Sequence, residues 1–117
     1  MFFKKFVACA LICGFVIDVL ANNQKMKPFI NLISEPNSEG YFKEGTEFKA
    51  QCVVFNGEPM WNFSKPQDQI KISDTYILHN KIKEIQFHLT PKHNKMVLMC
   101  SHSDSPDLMD QFIINVE

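Results

Sequence analysis

From about position 28 onward, apolar and polar residues alternate in short runs, and Gly, Pro, Asn or Asp interrupts these runs about every ten residues. This pattern predicts strands with one buried face, because successive side chains of a strand point to opposite sides. Strands are expected over Phe29–Ser34, Thr46–Phe55, Met60–Ser64, Ile70–Ile72, Tyr76–His79, Ile85–Leu89, Met96–His102 and Gln111–Val116. Glu35-Pro36-Asn37, Glu44-Gly45, Asn56-Gly57-Glu58-Pro59, Lys65-Pro66, Thr90-Pro91 and Ser105-Pro106 supply the reversals. No segment shows a helical stripe, and no internal repeat is present. The fold class is therefore all-β, with two antiparallel sheets packed about 10 Å apart.

Parity assigns the faces. Phe48, Ala50, Cys52 and Val54 share one side of their strand, while Glu47, Lys49 and Gln51 share the other. Met96, Leu98, Cys100 and His102 likewise fall together, as do Ile85, Phe87 and Leu89. Both cysteines thus point inward. Trp61 and Phe63 share a face of the short strand between them.

The first residues follow another pattern. Lys4 and Lys5 precede the 12-residue apolar run Phe6–Ile17, and Val19-Leu20-Ala21 offers small residues for cleavage. This is the anatomy of a secretory signal. A spanning helix needs about 20 apolar residues, and Asp18 closes the run too early. The expected organisation is a signal peptide over 1–21, a short N-terminal segment over 22–27 and one domain over 28–117. The expected product is secreted, extracellular and without a membrane span.

Cleavage changes the counts. Cys9 and Cys13 leave with the signal, so the four cysteines become two, and in an oxidising compartment Cys52 and Cys100 are expected to pair. Loss of Lys4, Lys5 and Asp18 leaves 10 Lys against 12 acidic residues, a net charge of −2, and the chain contains no arginine. Nucleic acid is a poor partner for such a surface, since nothing concentrates positive charge to neutralise phosphates.

Glu44-Gly45-Thr46-Glu47-Phe48-Lys49-Ala50-Gln51-Cys52, then Trp61, then Met96-Val97-Leu98-Met99-Cys100 resemble the Cys, Trp, Cys framework of the immunoglobulin superfamily. The resemblance covers roughly residues 28 to 117 and is nearest to a C2-like or I-like set. It implies a two-sheet sandwich in which Trp61 is the core tryptophan beside the inter-sheet disulfide. Leu98 departs from the pattern, standing where the family's tyrosine-corner residue would be, two positions before the second cysteine.

Little in the chain suggests catalysis. No nucleophile elbow or comparable local signature is present, so no enzyme, metal or cofactor is expected. His79, His88, His93 and His102 lack the close spacing of zinc ligands and are read as ordinary surface and loop histidines. Asp104, Asp107 and Asp110 recur at three-residue intervals in what reads as a solvated loop, without the Gly and terminal Glu of a calcium loop. By the resemblance, that segment is a candidate recognition loop. Asn62-Phe63-Ser64 is an N-glycosylation sequon whose Asn points outward if Trp61 points inward. Parity also turns Met60, Val97, Met99 and Ile113 to the outside, and an apolar patch of that kind marks a partner surface.

A domain with these features is expected to recognise an extracellular or cell-surface protein: a receptor, an adhesion molecule or an immune target. Two other classes remain open. The outward patch could pair with itself in a homodimer of a homophilic adhesion or structural protein, or the Phe-rich interior could open to carry a small apolar ligand.

Overall fold

The computed structural model describes residues 26–65 and 69–117. The expected signal peptide with Cys9 and Cys13, most of the segment 22–27, and Pro66 of the Lys65-Pro66 turn lie outside the described residues. Among the described residues seven strands form: β1 (Phe29–Leu32), β2 (Glu47–Phe55), β3 (Pro59–Phe63), β4 (Lys71–Ile77), β5 (Asn80–His88), β6 (Val97–His102) and β7 (Ser105–Ile113). They make a four-stranded sheet ordered β1-β2-β5-β4 and a three-stranded sheet ordered β3-β6-β7, with every strand pair antiparallel.

Alternation explains why these segments are strands, and burial confirms which face is inside. Phe48, Ala50, Cys52 and Val54 of β2 are fully buried, as are Ile85 of β5 and Leu98 and Cys100 of β6. Between the sheets the Phe48 ring meets Phe42 edge-on, with centroids 5.2 Å apart, and Phe87 at 5.3 Å. These phenylalanine rings fill part of the space between the sheets. Cys52 and Cys100 are disulfide-bonded, with Cα atoms 5.4 Å apart. Trp61 packs against that bridge, and its Nε1–H donates to the Lys83 carbonyl of the opposite sheet at 2.8 Å.

Three expectations are corrected. The two short strands expected at Ile70–Ile72 and Tyr76–His79 are one edge strand, β4, exposed along its whole length. With both faces wet, Ser73-Asp74-Thr75 can continue the ladder where its polarity reads as a turn. The last strand starts at Ser105 rather than Gln111, so most of the expected acidic loop is sheet. Pro106 is tolerated there because β7 is an edge. The ladder steps from Ser101 opposite Met109 to His102 opposite Ser105, leaving Pro106, Asp107 and Leu108 as a bulge. Finally, two of the four histidines are interior: His93 is 9% exposed and His102 fully buried.

His93 closes a 3₁₀ turn, Pro91–His93, that leads into β6. Its Nδ1 accepts the Thr90 backbone N–H at 2.9 Å, and its ring lies 4.8 Å from Phe87. Burial, aided by the nearby Lys65 charge, holds the imidazole below its ordinary pKa of 6.5. The unfolded chain therefore binds this proton more readily than the folded one. The stability contributed by neutral His93 should be complete above pH 6.5 and be lost as pH falls through the lower folded value. Urea midpoints at pH 7.5 and 5 should diverge more in the native sequence than in His93→Gln, and equal divergence would remove His93 from the acid response.

Candidate recognition surfaces

The register of the smaller sheet sets its outer face. Met60 lies opposite Ser101, Asn62 opposite Met99, Val97 opposite Ile113, and Met99 opposite Gln111. Met60, Asn62, Val97, Met99 and Ile113 thus share one side. Met60, Val97 and Met99 are partly buried by their neighbours, while Ile113 is 51% exposed. Met109 joins the face opposite Ser101, and the Gln111 amide contacts its sulfur at 3.4 Å. Sequence reasoning missed Met109 because Pro106 hid the strand that carries it.

Asn62 is exposed on this face, on the edge strand β3. Ser64 of the same sequon accepts the Val97 backbone N–H through its hydroxyl at 2.8 Å, which fixes the end of β3 against β6. Asn62 therefore sits on a fixed strand with its side chain toward solvent.

The three aspartates do not act together. Asp104 is exposed at the β6–β7 turn, and Asp107 is exposed in the bulge. Asp110 points the other way, opposite Cys100 on the inner face. Its Oδ2 accepts the Ile30 backbone N–H at 2.9 Å, and its Oδ1 the Gln111 N–H at 3.0 Å. Asp110 is thus a clasp between β7 and β1 rather than a residue at a loop tip. Among the described residues no group of three His, Cys, Asp or Glu side chains is placed to hold a metal ion.

The pole carrying the β2–β3, β4–β5 and β6–β7 turns is built around His102. Its Nε2 lies 3.0 Å from the Met26 carbonyl, while the buried Nδ1 has no hydrogen-bond partner and lies 3.9 Å from Asp104 Oδ1. Gly57 presses on this ring: a Cβ there would lie 2.5 Å from Nδ1. Glycine is required by close approach. Beside it Lys81 forms an ion pair with Glu58 at 2.7 Å and lies 5.0 Å from the Tyr76 ring centroid. Hydrogen bonds to Glu58 and Tyr76 hold the Lys81 ammonium above the usual lysine range.

Four strands β1-β2-β5-β4 facing three strands β3-β6-β7, a disulfide between β2 and β6 and a tryptophan on β3 together define an immunoglobulin-like domain. No protein-family model matches the chain. It is 35% identical to Fasciclin-3 of Drosophila melanogaster over 119 aligned positions, covering 86% of this chain and 23% of that protein. Among solved structures it resembles the full ectodomain (Ig1–Ig3) of mouse nectin-like molecule 4, with a TM-score of 0.51, 13% identity and coverage of 79% of this chain and 34% of that one. The chain thus spans about a quarter of the first and a third of the second. No helix among the described residues is long and apolar enough to cross a membrane.

Proposed function

We propose that this chain is secreted after cleavage behind Ala21 and acts as an extracellular recognition domain for a protein partner, which docks on the outer face of the β3-β6-β7 sheet. The observation that carries the reading is that Met60, Val97, Met99 and Ile113 share the outer side of one sheet in a domain 35% identical to Fasciclin-3. Similarity to Fasciclin-3 and to the ectodomain (Ig1–Ig3) of nectin-like molecule 4 supports a binding role at or outside the cell surface. A glycan on Asn62 would stand within this face, so partner docking would use the side toward β7, where Ile113 is most exposed.

The test displays the secreted glycoprotein multivalently against a panel of extracellular domains that includes the chain itself. A partner should be found, and Val97→Ser with Met99→Ser should weaken its binding at least about tenfold while the variant stays folded, its urea midpoint lowered by no more than the two single changes together. Asn62→Gln should bind as well or better. Loss of binding instead with Asp104→Asn and Asp107→Asn, and not with the double serine variant, would move the site to the turn and bulge of β7 and overturn the assignment.

A further inference from the structure

Three methionines gather on the outer face of the β3-β6-β7 sheet. Met60 on β3 and Met109 on β7 stand opposite Ser101 from either side, so the three residues form one row across the sheet. The next row is Asn62, Met99 and Gln111, which sets Met99 one step along β6 from Ser101. Ser101 faces outward with Val97 and Met99, yet it is only 2% exposed. A short side chain becomes that dry on an outward face only beneath longer neighbours, and the positions flanking it carry methionine on three sides. The three methionines are half-buried and keep a surface toward solvent, whereas Met96, just before β6, is fully buried in the core.

Leucine at these positions would supply as much apolar surface without a reactive sulfur, and it is the thioether of methionine that peroxide oxidises. We propose that Met60, Met99 and Met109 are a reversible oxidation site for hydrogen peroxide, and that their conversion to sulfoxides weakens partner docking on this face. The effect on docking rests on the partner face proposed above. In each reaction a sulfur lone pair attacks one peroxide oxygen, and the O–O bond breaks as the S–O bond forms. The departing hydroxide takes the proton from the transferred oxygen and leaves as water, so two electrons pass from sulfur to peroxide. The product is polar and chiral, and methionine sulfoxide reductases return it to the thioether. The sheet has a donor ready for it. The Gln111 side-chain amide already donates to the Met109 sulfur at 3.4 Å, and a sulfoxide oxygen is a stronger acceptor for the same N–H. Because the three side chains face outward, oxidation changes what the domain presents while the core around Met96 stays packed.

Peptide mapping of the secreted glycoprotein along a peroxide time course tests the site without any partner. Met26, 61% exposed, is first replaced in Met26→Leu so that it does not dominate the reaction. Met60, Met99 and Met109 should then oxidise at least about tenfold faster than Met96. The oxidised protein should stay folded and elute earlier from a hydrophobic-interaction column, and reductases of both epimer classes should restore its retention. A Met60→Leu, Met99→Leu, Met109→Leu variant should show no change in retention on the same treatment. Affinity for a partner found as above should fall at least about tenfold on oxidation and recover with the reductases. Oxidation no faster at the three sites than at Met96, unchanged retention, or a shift that the triple leucine variant shares would overturn the proposal. So would a partner that binds the oxidised protein normally although Val97→Ser with Met99→Ser abolishes its binding. Failure of the docking face is distinguishable: the double serine variant would bind normally while the mapping and retention results stand.

Discussion

Replacing Cys52 and Cys100 together by alanine is expected to lower stability by about 4 kcal/mol, within the 2–5 kcal/mol usual for small secreted domains. The bridge closes a loop with a sequence separation of 48, so its removal restores much of the freedom of the unfolded chain. The folded side loses as well. Both sulfurs lie in a fully buried layer with Val54, and Trp61 rests on them, so alanine leaves poorly filled space between the sheets. Urea unfolding of the double variant beside the native protein measures the loss. Equal midpoints would mean that sheet packing alone fixes the fold and that the bridge contributes nothing.

Adjacent residues on β6 should respond in opposite ways. Leu98 is fully buried, so Leu98→Ala should cost about 2–5 kcal/mol. Val97 and Met99 face outward beside Ile113 and Asn62, so serine at either position should cost less than about 1.5 kcal/mol. If the Val97 and Met99 variants proved as damaging as Leu98→Ala, the strand would be turned over and the proposed partner face would belong to the core. Denaturant midpoints for the three single variants decide this before any partner is known.

Much of this was readable in the sequence because the inner strands bury one face against the opposite sheet. Phe48, Ala50, Cys52, Ile85 and Leu98 alternate with polar neighbours, and a register error would have put them in water. The edges were harder to read. β4 is wet on both sides, so Ser73-Asp74-Thr75 carries no alternation and reads as a break. β7 contains Pro106 and a bulge, which disguised a strand as an acidic loop and concealed that Asp110 turns inward. His102 followed the parity of its strand, yet its burial depends on Gly57 and Met26, from chain segments 45 and 76 residues away.

The segment after β1 and the segment after β7 lie side by side. Phe42 and Val116 form a parallel bridge in which Phe42 N–H donates to Asn115 O at 2.8 Å and Glu117 N–H to Phe42 O at 3.0 Å. Tension applied between the two ends of the domain would pull these neighbouring segments in opposite directions along their length. The two bonds would then carry the load together, in shear, instead of opening one after the other as in a peeled hairpin. Phe42 is 3% exposed and packs edge-on against Phe48 and Phe112, so slippage would also drag an aromatic ring out of the core. The bridge thus ties the two terminal segments together with both of its bonds placed to share such a load.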